Sequence, residues 1–274
     1  IEMNHPPSMA KAGWSRDAFE EGDRIVWSGP HDRDPDRHYT GMIWAERGDG
    51  TRFDMNDEPV GAVEPSTDFT GLWKRSDIGG FNPHYRPPED WPFNEKGQAM
   101  VDGFDENSNP MVRCGNPGPP KAMLVPYPVS ITRTDEGNYV FERELMTEKR
   151  IVYMQAADES GHEPGEPSVL GYSTGTFEDD TLVVETTNFV ADTWGSHTGI
   201  DSSEQKHLVE RFTLTEGGKY LLAEITLTDP EYLSEPHTFM HRWVKLADRE
   251  VIQAPCTMEA ARLYLEAGYG DRED

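Results

Sequence analysis

Basic residues are scarce in this chain. Lys and Arg number 25 against 51 Asp and Glu, a formal net charge of -26. A protein that binds duplex nucleic acid needs a positive face to replace released counterions. With no basic run present, neither nucleic acid nor an anionic membrane surface is an expected partner. Long apolar runs are missing as well. None approaches the roughly 18 residues of a spanning helix, so membrane insertion is not expected. Gly171-Tyr172-Ser173-Thr174-Gly175 has the GxSxG spacing but falls inside a strand pattern rather than at a strand-to-helix turn, which disfavours serine hydrolases. No phosphate loop or dinucleotide fingerprint is found, which disfavours kinases and Rossmann oxidoreductases. No Asp-x-Asp-x-Asp-Gly calcium loop is found. The acidity therefore reads as a solvated, salt-adapted surface, with divalent-cation binding as the alternative. No cofactor is implied.

Cysteine is nearly absent. Cys114 and Cys256 are the only two, and neither belongs to a CxxC or Cys/His array. A zinc site is not expected. The pair reads as one long-range disulfide or as two buried thiols. The first residue is Ile1 and no signal-peptide pattern is read. The expectation is that something upstream has been removed or left out.

Glycine and proline are plentiful, 25 and 21 residues, and favour short elements joined by turns. Residues 14–21 are read as a short helix capped by Ser15. Residues 24–29, 39–46 and 51–53 alternate in hydrophobicity between Gly-bounded turns, which predicts a small antiparallel sheet. Residues 54–68 are acidic and read as a linker. From Pro83 to Pro120 the chain is proline-rich and irregular, a long connection that either wraps the surface or forms a site. A short helix is expected within residues 94–102. Strand patterns then recur over 129–133, 139–145, 149–154, 171–177, 181–188, 207–215, 219–228 and 238–246. Acidic-Gly turns join several of them, so an antiparallel meander closing as a barrel or strongly curved sheet is predicted. Residues 258–267 are the best helix candidate, with Thr257 as N-cap.

Several stretches resemble one family. They are Ala12-Gly13-Trp14-Ser15-Arg16-Asp17 with Gly22-Asp23 and Ser28-Gly29; Phe69-Thr70-Gly71-Leu72-Trp73; and Arg113-Cys114 with Pro117-Gly118-Pro119 and Pro126-Tyr127-Pro128. Further on come Gly175, residues 180–186, Asn188-Phe189 and Thr193-Trp194, then residues 207–212, then 225–229 with Pro236. Together they resemble a family of uncharacterised exported bacterial proteins in which a small OB-like domain precedes a β-rich domain. The resemblance implies a mostly-β fold: a partial OB-like domain over residues 1–60, a barrel-like domain over 69–274, and a first residue inside the OB-like part. It implies a periplasmic or extracellular location, and export favours the Cys114–Cys256 disulfide. It brings no activity. The family pattern looks like Gly-His-Ser where this chain has Gly171-Tyr172-Ser173, and Pro-His-Ser where it has Asp201-Ser202-Ser203. A metal or general-base role for those histidines does not transfer.

Candidate site residues come from strand alternation. Leu208, Phe212 and Leu214 face the core of their strand, and Glu210 falls on the same face. A carboxylate among apolar side chains is either paired, as a buried strut, or poised as a general acid or base. His207 falls on the opposite face and reads as a surface histidine. Trp194 and His197 are read as lying in a long loop, where Trp194 either lines a pocket mouth or plugs the barrel end. Asp192 and His197 could form an acid–base pair. His237, Phe239, His241 and Trp243 share one face and suggest an aromatic cavity wall; with no third ligand, a metal site is not expected. His84 and Tyr85 sit in a stiff Pro-rich loop able to close over a pocket.

Three functions are carried forward. The first is binding of a small apolar or amphipathic organic molecule in an aromatic-lined barrel pocket, with Trp194, His237, Phe239, Trp243, His84 and Tyr85 as contacts. The second is a cofactor-independent lyase, isomerase or hydrolase using Glu210, helped by Tyr172, His197 or His241. The third is an assembly subunit that self-associates through an open sheet edge.

Overall fold

The computed structural model describes residues 15, 17–28, 42, 44–54, 68–76, 86–125, 127–144, 149–154, 164–246, 251, 256–258 and 261. The chain is built mostly of strands, as expected. Strands β1 (Ile25–Ser28), β2 (Trp44–Arg47) and β3 (Arg52–Asp54) form a three-stranded antiparallel sheet in the order β1-β2-β3. Ala18, Met42 and Ala45 are its buried centre, with Phe19, Trp27 and Phe53 packed on them. The helix expected over residues 14–21 is not formed where the chain is described. Residues 17–22 make turns, with the Ala18 amide donating to the Ser15 carbonyl. The Gly22-Asp23 turn that follows immediately leaves too little chain for a stable helix. The linker of residues 54–68 lies almost wholly outside the described residues.

The larger unit is a closed barrel. Its strands are β4 (Gly71–Arg75), β5 (Val129–Arg133), β6 (Tyr139–Arg143), β7 (Lys149–Met154), β8 (Tyr172–Glu178) and β9 (Thr181–Thr187). A hairpin of β10 (Asp192–His197) and β11 (Ile200–Ser202) follows, and β12 (His207–Thr215), β13 (Tyr220–Thr228) and β14 (His237–Lys245) complete the ring. The order around the ring is β12-β13-β14-β4-β5-β6-β7-β8-β9, and β9 pairs with β12 to close it. A ring of nine strands cannot alternate direction at every step. One parallel pair is obligatory, and it falls between β7 and β8. β7 ends at Met154 and β8 begins at Tyr172, which leaves the long connection that a parallel pair requires.

Alternation fills the inside. Leu208, Glu210 and Phe212 of β12 and Leu221, Ala223, Ile225 and Leu227 of β13 are buried, while Val209 and Arg211 are only half-buried. Trp73, Ile131, Tyr139, Phe141, Val152, Leu182 and Val184 complete the apolar interior.

The proline-rich stretch is not wholly irregular. It contains the helix α1 (Glu95–Asp102), which Asn94 caps by accepting from the amides of Lys96 and Gly97. Two 3-10 turns and the short helix α2 (Lys121–Leu124) follow. Cys114 and Cys256 are joined in a disulfide, with Cα atoms 5.8 Å apart. It ties this stretch to the C-terminal segment. The Ala261 amide donates to the Thr257 carbonyl, as at the start of a helix. The rest of the expected C-terminal helix lies outside the described residues. No helix among the described residues is long and apolar enough to cross a membrane.

Candidate functional site

Two features lie inside the barrel, a polar cluster and an apolar cavity. The cluster is built by alternation on four neighbouring strands. Arg150 of β7, Ser173 of β8, Thr186 of β9 and Glu210 of β12 all point inward and are almost fully buried. Arg150 Nη1 donates to Glu210 Oε1 at 3.0 Å, and its Nη2 is bonded to Glu210 Oε2. Nε donates to Ser173 Oγ at 2.9 Å and Nη2 also to Thr186 Oγ1 at 2.7 Å. The two hydroxyls are 3.0 Å apart. This is the paired, fork-on-fork form of a buried carboxylate. Both Glu210 oxygens are engaged, which leaves little freedom for proton transfer to a substrate. The arrangement favours the strut over the acid–base group.

The cavity opens at the end of the barrel where β5 begins and β6 ends. Val129, Ile131, Phe141, Phe212, Leu221 and Trp243 supply most of its barrel wall, and Ala122 and Met123 of α2 cover it. Its interior has room for little more than a water molecule, about 20 Å³, within a depression of about 340 Å³ that opens to solvent. One charged side chain, Arg143, lines it. Arg143 follows Tyr139 and Phe141 on the inward face of β6. Burial, and secondarily the nearby Arg150, lower its pKa to about 10, while Glu210 acts in the opposite sense.

The covering segment is pinned by cations. Arg75 Nη1 donates to the Leu124 carbonyl at 2.9 Å, and Lys206 Nζ donates to the Pro119 carbonyl at 3.0 Å. Lys121 Nζ bonds Thr198 Oγ1 of the β10–β11 turn at 2.5 Å. Burial lowers Lys121 to about 7, helped by Arg75; burial likewise lowers Lys206 to about 8, against the pull of Asp192 and Asp229. Gly118 runs so close to the chain beyond β7 that a Cβ there would lie 1.8 Å from the Val169 carbonyl oxygen.

An aromatic ladder runs along β14. His237, Phe239, His241 and Trp243 lie on one face, with successive ring centroids 5.9, 5.4 and 6.2 Å apart. The register sets them beside Leu227, Ile225, Ala223 and Leu221, the inward positions of β13. The ladder thus runs from the cavity, at Trp243, to Trp91, whose ring lies 4.8 Å from His237 and 5.3 Å from Phe239. Burial lowers the pKa of His237, against the pull of Asp90. Arg75 Nη2 lies 3.0 Å from His241 Nδ1; as the guanidinium can only donate, the ring carries its proton on Nε2.

The remaining candidates are dispersed. Trp194 and His197 stand in β10, not in a loop, because residues 192–197 pair with 200–202 across a bulge. Trp194 is buried at a positive φ of 58°, with its amide held by Asp201 and its indole N–H by Ser108. It packs on Phe104 rather than on the cavity wall. His197 is buried edge-on against Trp91, 5.1 Å between centroids. Tyr172 faces outward and stacks on Tyr153, so it does not share a face with Glu210. Glu210 lies in register with Ile225 and, through it, with Phe239 rather than His241. His207 bonds Glu185 at 2.7 Å on the outer surface. His84 and Tyr85 lie outside the described residues. Among the described residues no cluster of His, Cys, Asp and Glu suits a metal ion.

Arg143, Arg150, Trp91, Lys121 and Lys206 were not singled out in the sequence. The signal for Arg143 was present, since the alternation that turns Glu210 inward also turns Arg143 inward after Phe141. Comparison with known protein families, curated proteins and solved structures finds no match for this chain.

Proposed function

We propose that this protein binds a small amphipathic organic molecule at the end of the barrel beneath α2. The observation that carries this reading is an apolar, aromatic-walled cavity containing one charged group. Binding sites for small molecules commonly combine apolar walls with a few placed polar groups. The small enclosed volume favours a ligand with a short apolar body, admitted as the cover yields. Catalysis by Glu210 is the weaker alternative, because Arg150 holds both of its oxygens. Export accompanies the proposal, since disulfides persist in oxidising compartments.

Native mass spectrometry of the purified protein, before and after denaturation, tests for a ligand lost on unfolding. Methyl NMR during titration with hexan-1-ol tests the site directly. The expected shifts are at Val129, Ile131, Met123 and Leu221, abolished by Ala122→Trp, which fills the cavity. Shifts absent there, or unchanged in that variant, would sink the proposal. A ligand-free multimer in the native spectrum would instead favour assembly. In the described residues β1 and β3 each pair on one side only, which is the sheet edge such assembly would use.

A further inference from the structure

Buried charge in this acidic chain runs against its surface charge. The chain carries a net -26, yet three arginines, Arg75, Arg143 and Arg150, point into the barrel. Glu210 is the acidic residue within it that meets them, and the bidentate pair with Arg150 consumes its charge. Arg75 is occupied by the Leu124 carbonyl and His241. Arg143 differs. Among the described residues its guanidinium makes no hydrogen bond, and it lines the cavity that the apolar side chains otherwise enclose. Lys121 belongs to the cover itself, is bonded to Thr198 and does not line this cavity.

We propose that the cavity selects an organic monoanion, a carboxylate on a short apolar body, and that Arg143 receives the carboxylate. The inference rests on the reading of the barrel end as a binding site. A guanidinium presents parallel N–H groups that fit a carboxylate in two-point fashion. Arg143 is half-buried in an apolar wall, where partial loss of water weakens its solvation, and a bound carboxylate supplies the counter-charge that Glu210 provides for Arg150. Arg143 is the one charged side chain among the described residues that line the cavity, so a single negative charge matches it there, and a dianion would bring an excess into apolar walls. Phe141, Phe212, Leu221 and Trp243 receive the apolar body. The lowering of the Arg143 pKa by burial and by Arg150, offset in part by Glu210, agrees with this placement.

The test is calorimetric titration of the full chain with two matched pairs, hexanoate against hexan-1-ol and benzoate against benzyl alcohol, with hexylamine as the opposite charge. The carboxylates are expected to bind about tenfold or more tightly than the alcohols, as for a charge-assisted contact, and the amine not at all. Arg143→Met is expected to remove the difference while keeping alcohol binding, and Arg143→Lys to retain part of it. Acid and alcohol binding equally, or the amine binding best, would overturn the anion inference and leave the cavity reading standing. If neither class binds, both fall. The comparison within the wild-type protein stands whether or not the Arg143 variants fold.

Discussion

Arg150 holds both carboxylate oxygens of Glu210 across 60 residues of sequence, from one inward strand face to another, on strands that are not neighbours. β8 and β9 lie between them, and the hydroxyls of Ser173 and Thr186 on those strands fill the rest of the guanidinium. The pair therefore ties β7 to β12 across the site of the one parallel junction in the ring.

Removing one partner should be far worse than removing both. Glu210→Gln leaves a buried guanidinium without its counter-charge, and the expected loss is roughly 3–5 kcal/mol. The double variant Arg150→Met/Glu210→Leu fills the same space with apolar atoms and should recover most of that. Urea denaturation of the two singles and the double gives the coupling. Additive losses would mean that the pair contributes nothing as a unit.

Lys121 should give stability an unusual dependence on pH. Its folded pKa, lowered by burial and by Arg75, is about 7, against an ordinary 10.5. Below pH 7 the amine is protonated in both states, and the cost of burying it is present in full. Between about 7 and 10.5 the unfolded chain holds a proton that the folded chain does not, so stability rises with pH. The contribution is at most about tenfold in the folding equilibrium per pH unit. Lys206, at about 8, acts in the same direction. Lys121→Met should therefore be most stabilised relative to wild type at pH 6 and lose that advantage toward pH 10. A difference that stays flat across that range would mean Lys121 titrates normally.

The Cys114–Cys256 disulfide closes a loop of 142 residues. The chain-entropy account gives such a bridge about 5 kcal/mol, and native geometry usually delivers less. Guanidinium melts with and without dithiothreitol should differ by several kcal/mol, and Cys114→Ser/Cys256→Ser should match the reduced protein. Coincident melts would show that the bridge constrains little of the unfolded chain.

Much of the barrel was legible because strand alternation is a local property. A period of two fixed which face Glu210, Phe212 and the His237–Trp243 series share, and the recurring turns fixed the number and order of most strands. The composition set the β-rich class, and two isolated cysteines made a disulfide one of two readings. Residues 193–197 read as loop in the sequence because a bulge interrupts their pairing, and Trp194 adopts a positive φ that strand patterns do not announce.

What the sequence by itself determined is therefore which way each side chain faces. Only the tertiary structure decided what it meets there. The pairing of β9 with β12, together with the parallel β7–β8 pair, sets Arg150 against Glu210. Joining β14 to β4 brings Trp243 to the cavity that Arg143 faces beneath α2. Facing follows from neighbours in the chain, whereas partnership depends on contacts between distant strands, which no local period encodes.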